Sequence, residues 1–368
     1  MTSETHPPVL LRVEDLDVRR GGVRVLDIPA LSITAGQALA LIGPNGTGKS
    51  TLLLTLACLL KPFQGRLRFR DREVDAAHGD FDYRRCVAMV FQEPLLFDAT
   101  VFDNVAAGLR IRGVGRTEIN RRVPGYLGLF GIGHLAQRSA RKLSGGEAQR
   151  TSLARAFVTK PEIVFLDEPF SSLDPPTREA LTEDLERILR ETHTTAVMAT
   201  HDRMEALRLA DRVAVMNGGR IAQEGQVAEV MNRPADGFVA TFVGVETVLP
   251  GRVIGNSDGV FTAAVQGGEI QAVGHLRTGE AVLCCIRPEH VTLSTITPSS
   301  ESSARNVFAG TIRKITPLGL FYRVHVDCGF DLVSYVTRQS IDELSLVEGS
   351  EVTASFKATA VHVIPRRN

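Results

Sequence analysis

The sequence predicts a two-part chain, an α/β domain over residues 1–245 followed by an all-β domain over residues 246–368. Three observations carry this. Nearly continuous apolar runs ("QALALIG", "CVAMVFQ", "EIVFLDEP", "TAVMAT", "RVAVMNGG") alternate with longer helical stretches in the first part, the pattern of a sheet buried on both faces in an α/β layer. After "NRPADGFVATFVG" the segments become short and β-branched, with Gly, Asp and Pro between them ("GVFTAAV", "AVLCCI", "LFYRVHV", "EVTASFKATAVHVI"), which reads as small barrels or a sandwich. The length, 368 residues, suits two or three domains of roughly 100–200 residues.

Composition narrows the function classes. Hydrophobic residues make up 43% and charged residues 23%, ordinary for a soluble globular protein. The 42 basic and 42 acidic residues cancel, so no basic excess points to a nucleic-acid partner. No apolar run approaches the ~20 residues that span a bilayer; "TLLLTLACLL" from Thr51 is half that. "MTSETHPP" lacks the basic and apolar regions of a secretory signal. The five cysteines (Cys58, Cys86, Cys284, Cys285 and Cys328) are odd in number and form no C-x-x-C pair, so neither a disulfide framework nor a zinc site is expected, and the setting is reducing. Vicinal Cys284 and Cys285 are expected on opposite faces of one strand.

The first chemical motif is "GPNGTGKST" from Gly43. It fits the phosphate-loop pattern G-x-x-x-x-G-K-[ST] at every fixed position, with an apolar strand before it and an apolar helix after it. Glycines let backbone amides curl around phosphates, and the following helix offers its positive end. Gly43, Asn45, Gly46, Gly48, Lys49, Ser50 and Thr51 are the candidate nucleotide contacts, with Lys49 toward the β/γ-phosphates and the Ser50 hydroxyl toward Mg²⁺. Further on, "LSGGEAQR" starts a helix: Ser144 caps it and Glu147 completes a capping box, while two glycines leave bare amides. "IVFLDEP" then brings a buried strand to Asp167, a Mg²⁺ carboxylate in phosphate-loop proteins, with Glu168 beyond it beside a water in line with the γ-phosphate.

This order of motifs, with "SSLD" from Ser171, resembles the ATP-binding-cassette ATPases over residues 9–235. The resemblance implies an ATPase using ATP and Mg²⁺. Gln92 in "VFQEP" matches the glutamine that contacts Mg²⁺ and the attacking water. His201 in "ATHD" matches the histidine at the γ-phosphate, and Glu168, His201 and Gln92 form the catalytic set. Two cassettes pair head to tail in this family, so Ser144, Gly145, Gly146, Gln149 and Asp174 are assigned to the nucleotide bound by a second copy. Arg20 stands where the family usually stacks an aromatic on adenine. A helical subdomain is expected at about 93–158; Pro124 in "RRVPGYLGLFGIG" is read as a helix N1 residue, with short helices around it. The stretch "EPLLFDATVFDNVAAGLR" carries exposed-looking apolar residues, Leu95, Leu96 and Phe97, and the resemblance implies that this region receives a helix from an integral membrane permease. The chain would then sit in the cytoplasm, peripheral to the inner face of the membrane.

The C-terminal part resembles the regulatory (TOBE-type) domains of importer ATPases. "IRPEHVTLS" from Ile286 carries that likeness, with Arg287 and Glu289 bracing the domain interface. "STITPSSESS" divides this part into two halves. The second half, about 303–365, resembles a molbindin-type oxyanion module through "SARNVFAGTI" and "SFKATAV". The resemblance makes Ser303, Arg305, Lys357 and Thr359 candidate donors to molybdate or tungstate, with Ala358 lending backbone. The join "FVGVETVLPGRV" looks like tungstate-type importers. Importers of sugar, sulfate, phosphate, iron or polyamine remain alternatives, as does a non-transport oxyanion-binding regulator.

Overall fold

A computed structural model describes residues 7–74, 80–295 and 303–366. It forms two compact units, Met1–Val227 and Ala228–Asn368.

In the first unit, six strands lie in the order Arg220–Gln226, Arg212–Asn217, Ala38–Ile42, Thr195–Thr200, Ile163–Asp167, Val87–Val90. All neighbours are parallel except the edge pair Arg220–Gln226 and Arg212–Asn217. A four-stranded antiparallel sheet joins Val23–Thr34, Val9–Arg20, Gln64–Phe69 and Arg72–Val74. One apolar cluster unites both sheets with the helix Lys49–Leu56: Leu26, Leu52, Leu53 and Phe165 are sealed within it. Parallel register has a functional consequence. Ile42 lies beside Thr200 and Asp167 beside Ala199, so the residues that follow three adjacent strands emerge at one sheet edge, where α/β folds place ligands.

The helical region differs from expectation at Pro124. It lies inside a 14-residue helix, Arg116–Leu129, rather than at a helix start. Ile119, Val123 and Leu127 bury one stripe, while Asn120 and Pro124 face solvent. The carbonyl that loses its donor to proline, that of Asn120, therefore lies on the wet side.

The second unit begins earlier than residue 245. Its helices Val227–Asn232 and Gly237–Phe242 lead into the β module, and Ala240 packs with Val245, Cys285 and Ile364. Two five-stranded antiparallel sheets follow. One runs Gly268–Val273, Val260–Val265, Thr247–Ser257, Ala281–Ile286, Val361–Pro365; the other Thr292–Ser294, Glu351–Phe356, Asn306–Pro317, Phe321–Asp327, Asp331–Thr337. The two expected halves are interlocked: the last strand pairs with Ala281–Ile286, and Thr292–Ser294 pairs with Glu351–Phe356. One core spans both sheets, from Phe261 and Ile270 to Val326 and Phe356. Residues 296–302, most of "STITPSSESS", lie outside the described residues. Cys284 and Cys285 do face opposite ways, one into each apolar cluster; burial pushes their thiols up to about 11 and about 12.

Candidate functional site: a phosphate-loop cleft and an exposed cationic corner

The cleft at the sheet edge holds about 340 Å³ and is lined by Val25, Asn45, Gly46, Gly48, Lys49, Ser50, Thr51, Gln92 and Glu168. Its loop requires glycine for two reasons. Gly48 has φ +97°, and a Cβ on Gly43 would stand 2.4 Å from the Met216 carbonyl oxygen. Gly48 also starts the helix Lys49–Leu56 with no side-chain cap, so the first-turn amides are left for a ligand. Lys49 is buried and donates through Nζ to the carbonyls of Gly43 (2.8 Å) and Pro44 (3.0 Å). Burial lowers its basicity, opposed by the charges of Glu168 and Asp167.

Ser50 Oγ donates to Asp167 Oδ1 at 2.7 Å. Burial raises the acid pKa of Asp167; the Ser50 hydrogen bond opposes this, the Glu168 charge adds to it, and Lys49 counters. Glu168 is left-handed, φ +43°. Its N–H donates to Ala199 O (2.9 Å) and its carbonyl accepts from Ser171 Oγ (3.0 Å), so a strained backbone is held from both sides. Its Oε2 lies 3.2 Å from Nδ1 of His201. Ser50, Asp167, Glu168 and His201 thus form a connected set, with Gln92 exposed on the cleft wall. A hydroxyl, a carboxylate and an amide are hard oxygen donors suited to Mg²⁺. Among the described residues no three His, Cys, Asp or Glu side chains could hold a metal, so phosphate oxygens and water would supply the remaining ligands.

Ser144, Gly145, Gly146 and Asp174 do not line this cleft. The capping box is present: Ser144 Oγ accepts from Glu147 N, and Glu147 Oε2 accepts from Ser144 N at 2.8 Å. The two glycines differ. A Cβ on Gly146 would strike Thr177 Cγ2 at 2.5 Å, whereas one on Gly145 meets nothing within 4 Å. Gly146 is therefore needed for packing inside the chain, and Gly145 is not. Asp174 caps the helix Pro175–Thr192; hydrogen bonds from Thr177 hold its carboxyl below the usual range.

Gln149 departs from its expected role facing a second copy. It is fully buried, and neither end of its amide has a hydrogen-bond partner among the described residues. The helical period turns it inward with Ser152 and Leu153. Arg20 is exposed at the hairpin end. Its neighbour Arg19 is committed elsewhere, to Asp17 (3.1 Å) and over the Phe63 ring (4.1 Å). Val25, on the next strand, lines the cleft and was not singled out in the sequence.

Leu95 and Phe97 are exposed as expected, and Leu96 is half-buried. Arg155 secures them: it donates to the carbonyls of Pro94 and Leu95, both at 2.9 Å, and sits 5.8 Å over the Phe97 ring. A groove of about 340 Å³ nearby is lined by Phe81, Met89, Ile111, Arg84, Arg85 and Arg112. Phe81 and Ile111 are 69% and 81% exposed; they are far apart in sequence and carry no motif.

In the second unit, Ser303, Arg305, Lys357 and Thr359 are all exposed. Asn306 and Phe356 are the terminal pair of their ladder, and Arg305 and Lys357 are the residues that flank that pair outside the two strands. Ala358 is buried beneath them. Asn306, unremarked in the sequence, is 2% exposed and clamps the two sheets: its amide accepts from Gln271 N (2.8 Å) and donates to Gln271 O (2.9 Å). Arg287 braces the second unit internally, reaching the carbonyls of Met231 and Val243 and pairing with Glu289 at 3.5 Å. Glu246 accepts from Arg323 (2.8 Å) and Tyr335 (2.5 Å).

Comparison with known proteins places these features in families. Residues 26–171 match the ABC transporter family and residues 302–363 match the TOBE domain. The molybdate/tungstate import ATP-binding protein WtpC of Pyrococcus horikoshii is 36% identical over 97% of this chain and 100% of its own length. The sulfate/thiosulfate import ATP-binding protein CysA of Thermosynechococcus vestitus is 35% identical over 93% of this chain and 95% of its own. The Fe(3+) ions import ATP-binding protein FbpC of Streptomyces coelicolor is 43% identical over 68% of this chain and 72% of its own. Among solved structures, cbiO1 from Clostridium perfringens, part of the ABC transporter complex cbiONQ, superposes with a TM-score of 0.57 and 32% identity over 65% of this chain and 95% of that one.

Proposed function

The chain belongs to the ATP-binding-cassette transporter family as the ATPase of an importer, and we propose that its cargo is a tetrahedral oxyanion, molybdate or tungstate. The observation that carries the cargo is the corner at Arg305 and Lys357. Two exposed cations flank the last pair of one ladder, and like charges brought close repel each other. A dianion between them reverses the sign of that interaction, and the hydroxyls of Ser303 and Thr359 add short neutral donors. The full-length likeness to a molybdate/tungstate import protein supports the same reading. The full-length likeness to a sulfate/thiosulfate protein favours sulfate as the second reading, since sulfate is also a tetrahedral dianion.

For the ATPase, the loop amides and Lys49 bind and orient the phosphates. Glu168 accepts a proton from the attacking water, and His201 beside it fixes the carboxylate. Ser50, Asp167 and Gln92 would hold Mg²⁺, which would supply charge neutralisation at the phosphates. A second copy supplies Ser144 and Gly145 across the nucleotide; the empty space over Gly145 is where that phosphate would lie. No helix among the described residues is long and apolar enough to cross a membrane. The likeness to a component of an ABC transporter complex supports a separate permease, which receives the work through a helix seated on the groove at Phe81 and Ile111.

The test of cargo is calorimetric titration of the full chain with molybdate, tungstate, sulfate and phosphate. Saturable micromolar binding of molybdate or tungstate, weakened about tenfold to a hundredfold in Arg305→Ala, supports the reading. Preferential binding of sulfate moves the assignment to the second reading, and no binding of any of the four removes the oxyanion corner.

A further inference from the structure

The turn that carries His201 is fixed by a buried carboxyl that the chemistry above does not use. Glu205 lies in the first turn of the helix Arg203–Leu209 and is 8% exposed. Its Oε2 accepts from Thr200 Oγ1 at 2.5 Å, and Thr200 is itself sealed. The same hydroxyl oxygen accepts from the N–H of Asp202 at 3.0 Å. Asp202 Oδ1 accepts from Met204 N at 2.7 Å. The residues on either side of His201 are thus tied through one hydroxyl to one carboxylate. The imidazole is half exposed and its Nδ1 faces Glu168. From the neighbouring helix, Arg178 stands 3.9 Å from Asp202 Oδ2 and donates to Leu173 O, next to Asp174. Arg208 ties the far end of the His201 helix to Glu186 (3.0 Å) and Glu179.

Burying a carboxyl is costly unless its partner returns the cost. Thr200 is that partner, and what the pair holds is the backbone that aims His201. We propose that Glu205 is a positioning residue for ATP hydrolysis, acting through the Thr200 hydroxyl to fix the 200–202 turn and so the distance between His201 and Glu168. This rests on the reading of Glu168 and His201 as the pair that handles the attacking water. A misplacement of about 1 Å in such a group costs on the order of a hundredfold in rate.

The experiment measures kcat, KM for ATP and thermal midpoint of the full chain for Glu205→Ala, Glu205→Gln, Thr200→Val, His201→Ala and the double variant Glu205→Ala/His201→Ala. Expected are a loss of about tenfold to a hundredfold in kcat for Glu205→Ala and Thr200→Val, with KM within about threefold of the parent. Glu205→Gln keeps an oxygen acceptor for the Thr200 hydroxyl and restores most of kcat. In the double variant the Glu205 change costs nothing beyond His201→Ala alone. The proposal is overturned if Glu205→Ala lowers only the thermal midpoint, if Glu205→Gln does not rescue, or if the two losses multiply. Should Glu205→Ala fail to fold, Thr200→Val and Glu205→Gln decide by the same criteria. A His201→Ala variant with full activity overturns the underlying pair, and this proposal with it.

Discussion

The phosphate-loop cleft and the Arg305 corner are built on opposite plans. In the cleft, the assigned residues are mostly bound before any ligand arrives: Lys49 to two carbonyls, Ser50 to Asp167, Glu168 to His201 and to the backbone on both sides. At the corner, four exposed side chains lie just beyond the end of one ladder. Under the proposed function the difference follows from the task. Hydrolysis needs groups held in advance where charge develops. A sensor of cargo needs a surface whose stability changes when the anion arrives. Tight internal bonding there would weaken the response.

The largest effect expected is at Gly145, outside the cleft of its own chain. Gly145→Asp adds a side chain where nothing in this chain stands, so folding and thermal midpoint stay at the parental value. ATPase activity falls about a hundredfold or more, the cost of losing a donor at a phosphate and adding a charge there. Steady-state hydrolysis beside a melting curve checks this. Parental turnover would show that Gly145 faces no nucleotide from a second copy.

At the corner, Arg305→Ala and Lys357→Ala each remove one charge-assisted contact. Oxyanion affinity is expected to drop about tenfold to a hundredfold, with basal ATPase unchanged. Calorimetry reads the first and hydrolysis the second. An equal loss of both would show that the corner supports folding rather than a ligand.

Asn306 sharpens the contrast, since it adjoins Arg305 but is buried. Asn306→Ala leaves the N–H and carbonyl of Gln271 without partners. The expected loss is about 1–3 kcal/mol, read by denaturant unfolding, with anion binding weakened only in proportion to unfolded protein. The smallest effect belongs to Arg20. An exposed guanidinium stacked on a base contributes about 0.5–1 kcal/mol, so Arg20→Ala raises KM for ATP about two- to fivefold. An unchanged KM takes Arg20 out of the base contact.

Legibility in the sequence follows the same division. The loop at Gly43, the capping box at Ser144 and the strand ending at Asp167 were readable because each is a local pattern with a local cause. Cys284 and Cys285 were readable because strand alternation is also local. Pro124 was misread: nothing nearby tells that its side of a long helix faces water. Gln149 was misread because a polar residue beside a signature looks exposed, and only tertiary packing buries it. The unit boundary fell early because Ala240 packs on Cys285 and Ile364, a contact no window of sequence contains. The exchange of Thr292–Ser294 and Val361–Pro365 between the two sheets is invisible for the same reason, as is the Phe81–Ile111 groove.

The most direct measurement is paired ATP binding and single-turnover hydrolysis by the full chain and its Glu168→Gln variant. The geometry at Glu168 predicts ATP affinity within about threefold of the parent and a hydrolysis rate lower by about a hundredfold or more, the range for a lost general base. A variant that hydrolyses ATP at nearly the parental rate would contradict the assignment of Glu168, and with it the mechanism built on this cleft.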